Sequence, residues 1–290
     1  MSDPNHVKYP VFVMCGEDPR RRKLMEAIDP EKRYKSKALL PFLGKRLVDW
    51  QLEELRKSPW VEALYILGLC ETDATFDFPV HYVPVKTTSD VAEKLLAGLA
   101  YLESEGIGAE QIVVSSCDAP GIRVNEINQF FEIINNDPGS DFALSLVPED
   151  VAEAVFPKSK RVVARFTDCQ VFPGELYAVS SKAIRVQKQV IADIGSQRRK
   201  INRQAKKISM GPMLRLIARR PKTWPLILKF LLGRATLADG ERWLSAAFGV
   251  RVKGVVIPEA GFGMDMDLPE DYERLKEYVQ TTKLNKEFKA

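Results

Sequence analysis

With 290 residues, 45% apolar side chains and a net charge of only +4, the chain has ample material for a folded core and is neither disordered nor uniformly basic. Four cysteines without a CxxC pair, and two histidines without ligand spacing, argue against a zinc or disulfide framework and lead us to expect a reducing, cytoplasmic setting. The longest apolar run, Trp224 to Gly233, is half the roughly 20 residues a membrane span needs, and the start lacks a charged-then-apolar leader, so neither a spanning helix nor a secretory signal is expected.

The first predicted element is a strand at Val11-Phe12-Val13-Met14, an apolar run closed by a turn signal. Cys15-Gly16-Glu17-Asp18-Pro19 follows, and then four cations, Arg20 to Lys23. Such a strand-end loop can hold phosphates through backbone N–H groups and neutralise them with side chains; a solvated charge run is the alternative. Leu47, Val48, Leu52 and Leu55 mark one face of a helix after the segment Ser36-Lys37-Ala38-Leu39-Leu40-Pro41-Phe42. Ala63 to Leu67 is the next strand, and Val80 to Val85 another, with Pro84 arguing for a sheet edge or strand end.

Asp90 and Glu93 form a predicted capping box for a helix carrying Val91, Leu95, Leu99 and Leu102. That helix leads to Gln111-Ile112-Val113-Val114-Ser115-Ser116-Cys117-Asp118-Ala119-Pro120. A buried strand stops there, with a carboxylate at its mouth. Asp118 reads either as a turn residue before Pro120 or as a metal ligand. Val124, Ile127, Phe131 and Ile134 then mark another helix. The alternation of strand and helix predicts an α/β fold, a mixed, mainly parallel sheet with helices on both faces.

Strands are predicted at 141–147 and 162–166, within 171–179 a Pro173-Gly174 turn precedes another, and a helix is expected around Ile184 to Ile194. Residues 195–254 hold fifteen Lys/Arg against two acids, a net +13, which leaves −9 for the rest. We expect one domain over 1–290 with a basic helical subdomain, 195–250, inserted in it. A last strand at 252–257 leads to Met264-Asp265-Met266-Asp267-Leu268-Pro269-Glu270-Asp271 and a closing helix through Tyr272, Leu275 and Val279. In this helix Asp267 reads as an N-cap partnered by Glu270, or as a second metal ligand.

A cationic loop, Asp118 and the Asp265/Asp267 pair thus all stand at strand ends. In an open α/β sheet such loops gather at one edge. Carboxylates beside a cationic cluster suit Mg²⁺ and a nucleoside triphosphate, because Mg²⁺ takes few protein carboxylates and completes its shell with phosphate oxygens and water.

On these segments the chain resembles the MobA-like NTP transferases, nucleotidyltransferases of GT-A-like fold. Val11 to Gly16 is similar to that family's first strand and glycine loop, Ser36 to Phe42 to its lysine segment, and Gly44-Lys45-Arg46-Leu47-Val48 to the start of its next helix. Ser116 to Pro120 resembles its metal aspartate, and Met264 to Asp271 its C-terminal D-x-D-T-P-E-D. The first loop here has a single glycine, and Leu268 replaces the threonine.

The resemblance implies attack of an acceptor phosphate or hydroxyl on the α-phosphorus of an NTP, with pyrophosphate leaving. It implies Asp118 and Asp267 as ligands of Mg²⁺ (or Mn²⁺), with Asp265 as an accessory, and Lys37 stabilising charge on the α-phosphoryl group or acceptor. It places Arg20, Arg22 or Lys23 on the outer phosphates, Met14, Cys15 and Gly16 along the nucleotide, and Gly174 and Glu175 at a small-molecule or lipid-linked acceptor.

Two other classes compete. A GT-A glycosyltransferase would carry its D-x-D in mid-chain, where this sequence has one acid. A non-catalytic nucleotide- or nucleic-acid-binding protein could use the basic segment, but that segment has only two tryptophans as stacking platforms apart from phenylalanines in apolar runs, so nucleic acid is disfavoured. Cations beside Pro225 to Leu228 and Phe230 to Leu232 fit an interfacial helix on an anionic membrane, or equally an acceptor-covering or oligomer-forming subdomain. The nucleobase and the oligomeric state are not legible.

Overall fold

The structure, a computed structural model, describes residues 7–17, 23–159, 161–186 and 224–284. Its centre is an eight-stranded sheet. The strands are β1 (Tyr9–Met14), β4 (Val61–Leu67), β5 (His81–Val83), β6 (Gln111–Ser115), β7 (Phe142–Pro148), β8 (Ala164–Arg165), β9 (Gln170–Ser180) and β10 (Val252–Val256). The order is β10-β7-β9-β6-β1-β4-β5, with β8 paired to β9, while the short strands β2 (Pro41–Phe42) and β3 (Lys45–Arg46) form a separate hairpin. β9 runs antiparallel to both its long neighbours, β6 and β7; the β5-β4-β1-β6 and β7-β10 pairs are parallel.

The helices are α1 (Lys23–Ile28), α2 (Leu47–Leu55), α3 (Val91–Ser104), α4 (Val124–Asn135), α5 (Glu149–Val155), α6 (Ser181–Val186), α7 (Trp224–Leu231), α8 (Leu237–Phe248) and α9 (Pro269–Val279). β1 is central because both its faces are greasy. Val11 and Val13 pack with Val48, Leu52 and Leu55 of α2 and Ile127, Phe131 and Ile134 of α4. Phe12 faces the other way, toward Leu95, Leu99 and Leu102 of α3. The mixed sheet with helices on both faces is therefore the one expected, and β5, followed by Pro84, lies at its edge.

Local signals behave as the residues dictate at α3, where Asp90 accepts from the Glu93 N–H (2.8 Å) and Glu93 from the Asp90 N–H (3.1 Å). Three expectations change. The Pro173-Gly174 turn is instead a bulge inside the unbroken strand β9: Leu144 pairs with Tyr177 but Leu146 with Pro173. A bulge tolerates a residue that cannot donate to the ladder, and a Cβ on Gly174 would stand 2.6 Å from Ser145 Oγ. At α9 the N-cap is Leu268, not Asp267, and the capping carboxylate is Asp271, not Glu270; it accepts from the Leu268 N–H (2.9 Å) and the Asp267 N–H (3.2 Å). The strand expected at 162–166 contracts to β8.

The basic segment is described only in part. Of the expected Ile184 to Ile194 helix, α6 supplies the start, and residues 187–223 lie outside the described residues. α8 docks on β10 through Glu241 and Ser245, which accept from the Gly254 N–H (2.8 Å) and the Val252 N–H (2.9 Å). From α7, the Phe230 ring meets Phe166 and Trp243.

One buried charge sets a pH dependence. Glu126, in the first turn of α4, has no exposed side-chain surface; it accepts from Arg123 (2.8 Å) while its other oxygen has no hydrogen-bond partner among the described residues. Burial, opposed by Arg123, pushes its carboxyl up to about 7. Because the folded value lies above the unfolded one, the contribution is complete below about pH 4.5 and is lost as pH rises through 7. The cost of ionising the buried group is about 3 kcal/mol. Urea unfolding of wild type and Glu126→Gln should show the variant gaining relative stability of this order between pH 5 and 8.5; parallel pH profiles would refute it.

Candidate active site

The loop after β1 and the lysine segment are stitched together by Ser36. Its buried hydroxyl donates to the Gly16 carbonyl (3.0 Å) and accepts from the Ala38 N–H (3.3 Å), capping the 3₁₀ turn Lys37–Leu39. That cap sets Lys37 at the start of the turn, and its ammonium lies between two carboxylates. It donates to Asp118 Oδ2 (2.5 Å), Asp267 Oδ1 (2.6 Å) and the Met266 carbonyl (2.9 Å), three acceptors for three donors.

Asp118 reaches this point because β6 ends at Ser115 beneath it. The turn that follows is held by buried Gln51 of α2, which donates to Ser115 Oγ (2.5 Å) and accepts from the Ala119 N–H (3.1 Å). The C-terminal partner arrives on an extended stretch in which Met264 and Met266 are fully buried while Asp265 and Asp267 alternate with them. The Met266 N–H donates to the Asp118 carbonyl (2.9 Å), joining the two segments through the backbone.

Asp118, Asp265 and Asp267 each offer an oxygen within 4.8 Å of the others. All three are hard donors and lie close enough together for one Mg²⁺- or Mn²⁺-sized ion. They are not equivalent. Asp265 is buried and paired with Arg161, a nearly buried guanidinium, whereas Asp118 and Asp267 keep 14% and 19% of their side-chain surface open. Burial alone would lower the Lys37 pKa, but Asp118, Asp267 and Asp265 more than offset it and hold the ammonium well above its ordinary value.

Met14, Cys15, Gly174 and Glu175 belong to β1, the loop after it and β9. Met14 ends β1 against the α3-side core. Cys15 is fully buried, and a hydrogen bond with Cys117 together with burial raises its thiol well above the usual range. Gly174 lies in the β9 bulge, and buried Glu175 accepts through its carbonyl from the Ser116 N–H (3.2 Å), two residues before Asp118. Arg20 and Arg22 lie outside the described residues, and Lys23 opens α1.

Sequence reasoning missed Ser36, Gln51 and Arg161, whose roles depend on partners distant along the chain. It also missed Lys94, which stands three residues after Val91 on the buried stripe of α3 and is only 5% exposed. A lysine on an apolar stripe was the available signal. A cavity of about 530 Å³ lined by Glu149, Asp150, Thr167, Asp168 and Gln170 opens beside β8 and β9, but none of the Lys37 cluster lines it. We place the chemistry at the convergent charges, because a void supplies no reacting group.

A domain model described as "MobA-like NTP transferase domain" matches residues 13–187. The chain belongs to this family. It is a nucleotidyltransferase, with a mixed, mostly parallel sheet of the kind its structural neighbours share. A hypothetical transferase from Thermus thermophilus superposes with a TM-score of 0.66 at 23% identity, over 92% of this chain and all of the other. A CMP:2-keto-3-deoxy-manno-octonic acid synthetase, solved with CTP, gives 0.53 at 13% identity over 95% and 99%. A nucleotidyl transferase from Methanothermobacter thermautotrophicus gives 0.50 at 12% identity over 96% and 100%. No curated protein matches the chain in sequence.

In this MobA-like NTP transferase, Lys37 is the counter-charge of its own carboxylates. Lys37→Met should lower stability at pH 7.5 by about 3 kcal/mol, the scale of removing the cation from a part-buried ion pair. Urea unfolding of wild type and variant at that pH checks this; an unchanged unfolding free energy would refute it.

Proposed function

We propose that the protein transfers a nucleoside monophosphate from an NTP to a phosphorylated or hydroxyl acceptor, releasing pyrophosphate, with Mg²⁺ or Mn²⁺ held by Asp118 and Asp267. The observation that carries this reading is the meeting of Asp118, Asp265 and Asp267 around the Lys37 ammonium at the sheet edge. A bound divalent ion would supply charge neutralisation on the phosphate oxygens. Lys37 would release one carboxylate and donate to a non-bridging oxygen of the α-phosphoryl group, where negative charge grows as the acceptor oxygen attacks. The new bond is acceptor O–Pα, the bond broken is that to the β-phosphate bridging oxygen, and the acceptor proton passes to solvent.

Asp265 serves as the accessory carboxylate, because its ion pair with Arg161 already satisfies much of its charge. Gly16, with Met14 and Cys15, lines the nucleotide path from β1, and the cations 20–23 grip the outer phosphates. Gly174 and Glu175, whose strand runs beside β6, form the acceptor side. The chain acts as one nucleotidyltransferase unit with 195–250 inserted, a reading supported by β10 and α9, which follow the insertion and complete the sheet and the site.

The test is pyrophosphate release with each NTP, Mg²⁺ or Mn²⁺ and a panel of phosphorylated acceptors. Asp118→Asn and Asp267→Asn should each lower turnover by more than about 100-fold, the scale on which losing a charge-stabilising group acts, with an unchanged circular dichroism spectrum. Full activity in Asp118→Asn would remove that residue from the mechanism.

A specific observation also favours peripheral membrane contact and, with it, a lipid-linked acceptor. Trp224, Leu228, Leu231 and Leu232, spaced along one face of α7 and just past its end, are 58–66% exposed, as in a helix that lies in a bilayer interface. Among the described residues no helix is long and apolar enough to cross a membrane. Co-sedimentation with anionic liposomes should retain the wild type and release Trp224→Ser/Leu228→Ser; equal recovery of wild type in the supernatant would refute it.

A further inference from the structure

Lys94 carries an ammonium buried at the mouth of the sheet that the chemistry above does not use. Its Nζ donates to the Thr87 carbonyl (2.9 Å), its sole hydrogen bond among the described residues, so two of its three donors are unmatched. Leaving donors unpaired in a buried place costs free energy that a ligand acceptor would recover. Burial pushes the Lys94 pKa down, opposed by Cys117, Cys15 and Asp90.

The amine packs against the backbone of two glycines. A Cβ on Gly16 would lie 2.2 Å from Lys94 Nζ, and one on Gly68 3.2 Å from it; Gly68 also has φ +105. Gly16 follows β1 and Gly68 follows β4, so the amine sits behind two side-chain-free strand ends. The Thr87 carbonyl that holds it also accepts from the Glu17 N–H (3.2 Å), which fixes the β1 loop over it.

Position across the sheet decides what the acceptor is. Asp118 follows β6, on one side of β1, and the Lys94 amine lies toward β4, on the other. Neighbouring strands are about 4.8 Å apart, so the two points are separated by roughly one to two strand spacings. A nucleotide whose α-phosphate meets Asp118 and Lys37 would cross Gly16 with its sugar and bring its base to Lys94. We infer that Lys94 is a specificity-determining residue that donates to a carbonyl oxygen of the nucleobase, and so selects guanine, cytosine or uracil over adenine, which has none.

This inference rests on the nucleotidyltransfer reading. The test is calorimetric titration of full-length wild type, Lys94→Met and Lys94→Gln with ATP, GTP, CTP and UTP in Mg²⁺, without acceptor. Wild type should bind one carbonyl-bearing NTP at least about 10-fold tighter than ATP. Lys94→Met should weaken that nucleotide by about 10- to 100-fold, the worth of a hydrogen bond from a charged donor, with ATP unchanged, while Lys94→Gln, which keeps an N–H donor, should retain part of the preference. If Lys94→Met does not fold, the Gln variant carries the comparison. Uniform weakening of all four nucleotides would make Lys94 a phosphate contact, and an unaltered profile or a wild-type preference for ATP would equally overturn base selection. Failure of wild type to bind any NTP would overturn the nucleotidyltransfer reading together with it.

Discussion

The ammonium of Lys37 held between Asp118 and Asp267 is the contact on which this molecule's active edge depends. Three carboxylates with oxygens within 4.8 Å of one another repel, and near a sheet edge with limited solvent that repulsion is poorly screened. A lysine that spends all three donors on two of them and a backbone carbonyl, with Arg161 on the third, converts the cluster into a balanced network. The arrangement can therefore exist before any ligand arrives. It also makes the end of the first strand's loop, the middle of the chain and the C-terminal segment answerable to one another.

That network is held by polar groups that the fold buries on purpose rather than by the sheet alone. Ser36 ties the lysine turn to Gly16, Gln51 holds the turn that carries Asp118, and Asp271 caps α9 so that Asp267 is free to face the cluster. Each of these side chains satisfies backbone groups that would otherwise be orphaned at strand and helix ends. Ordinary residues thus position the Lys37 cluster through hydrogen bonds to distant parts of the chain. Across β1 from this cluster, Lys94 makes one hydrogen bond among the described residues, to the Thr87 carbonyl.

Much of the framework was legible in the residues. The doubly greasy run of β1 demanded a central strand, the proline after β5 an edge, and the Asp90/Glu93 pair a helix start, because each is a local requirement of backbone hydrogen bonding or side-chain burial. Where a local rule had two solutions, the packing of neighbouring elements chose between them. Pro-Gly at 173–174 satisfies a turn or a bulge, and only the neighbouring strand β7 decides which. Asp267 could have capped α9, but the cap went to Asp271, whose position in the first turn lets it reach two N–H groups.

The sequence by itself determined the alternation that builds a mainly parallel sheet, and the placing of acids at the ends of strands, since period and turn chemistry are written locally. Tertiary structure alone decided that Asp265 would be neutralised by Arg161, that Lys37 would stand among the carboxylates, and that Lys94 would point its amine behind Gly16 and Gly68. Those outcomes join residues tens to hundreds of positions apart, and no local periodicity encodes which buried charge meets which; only the packing of sheet and helices brings them within hydrogen-bond reach.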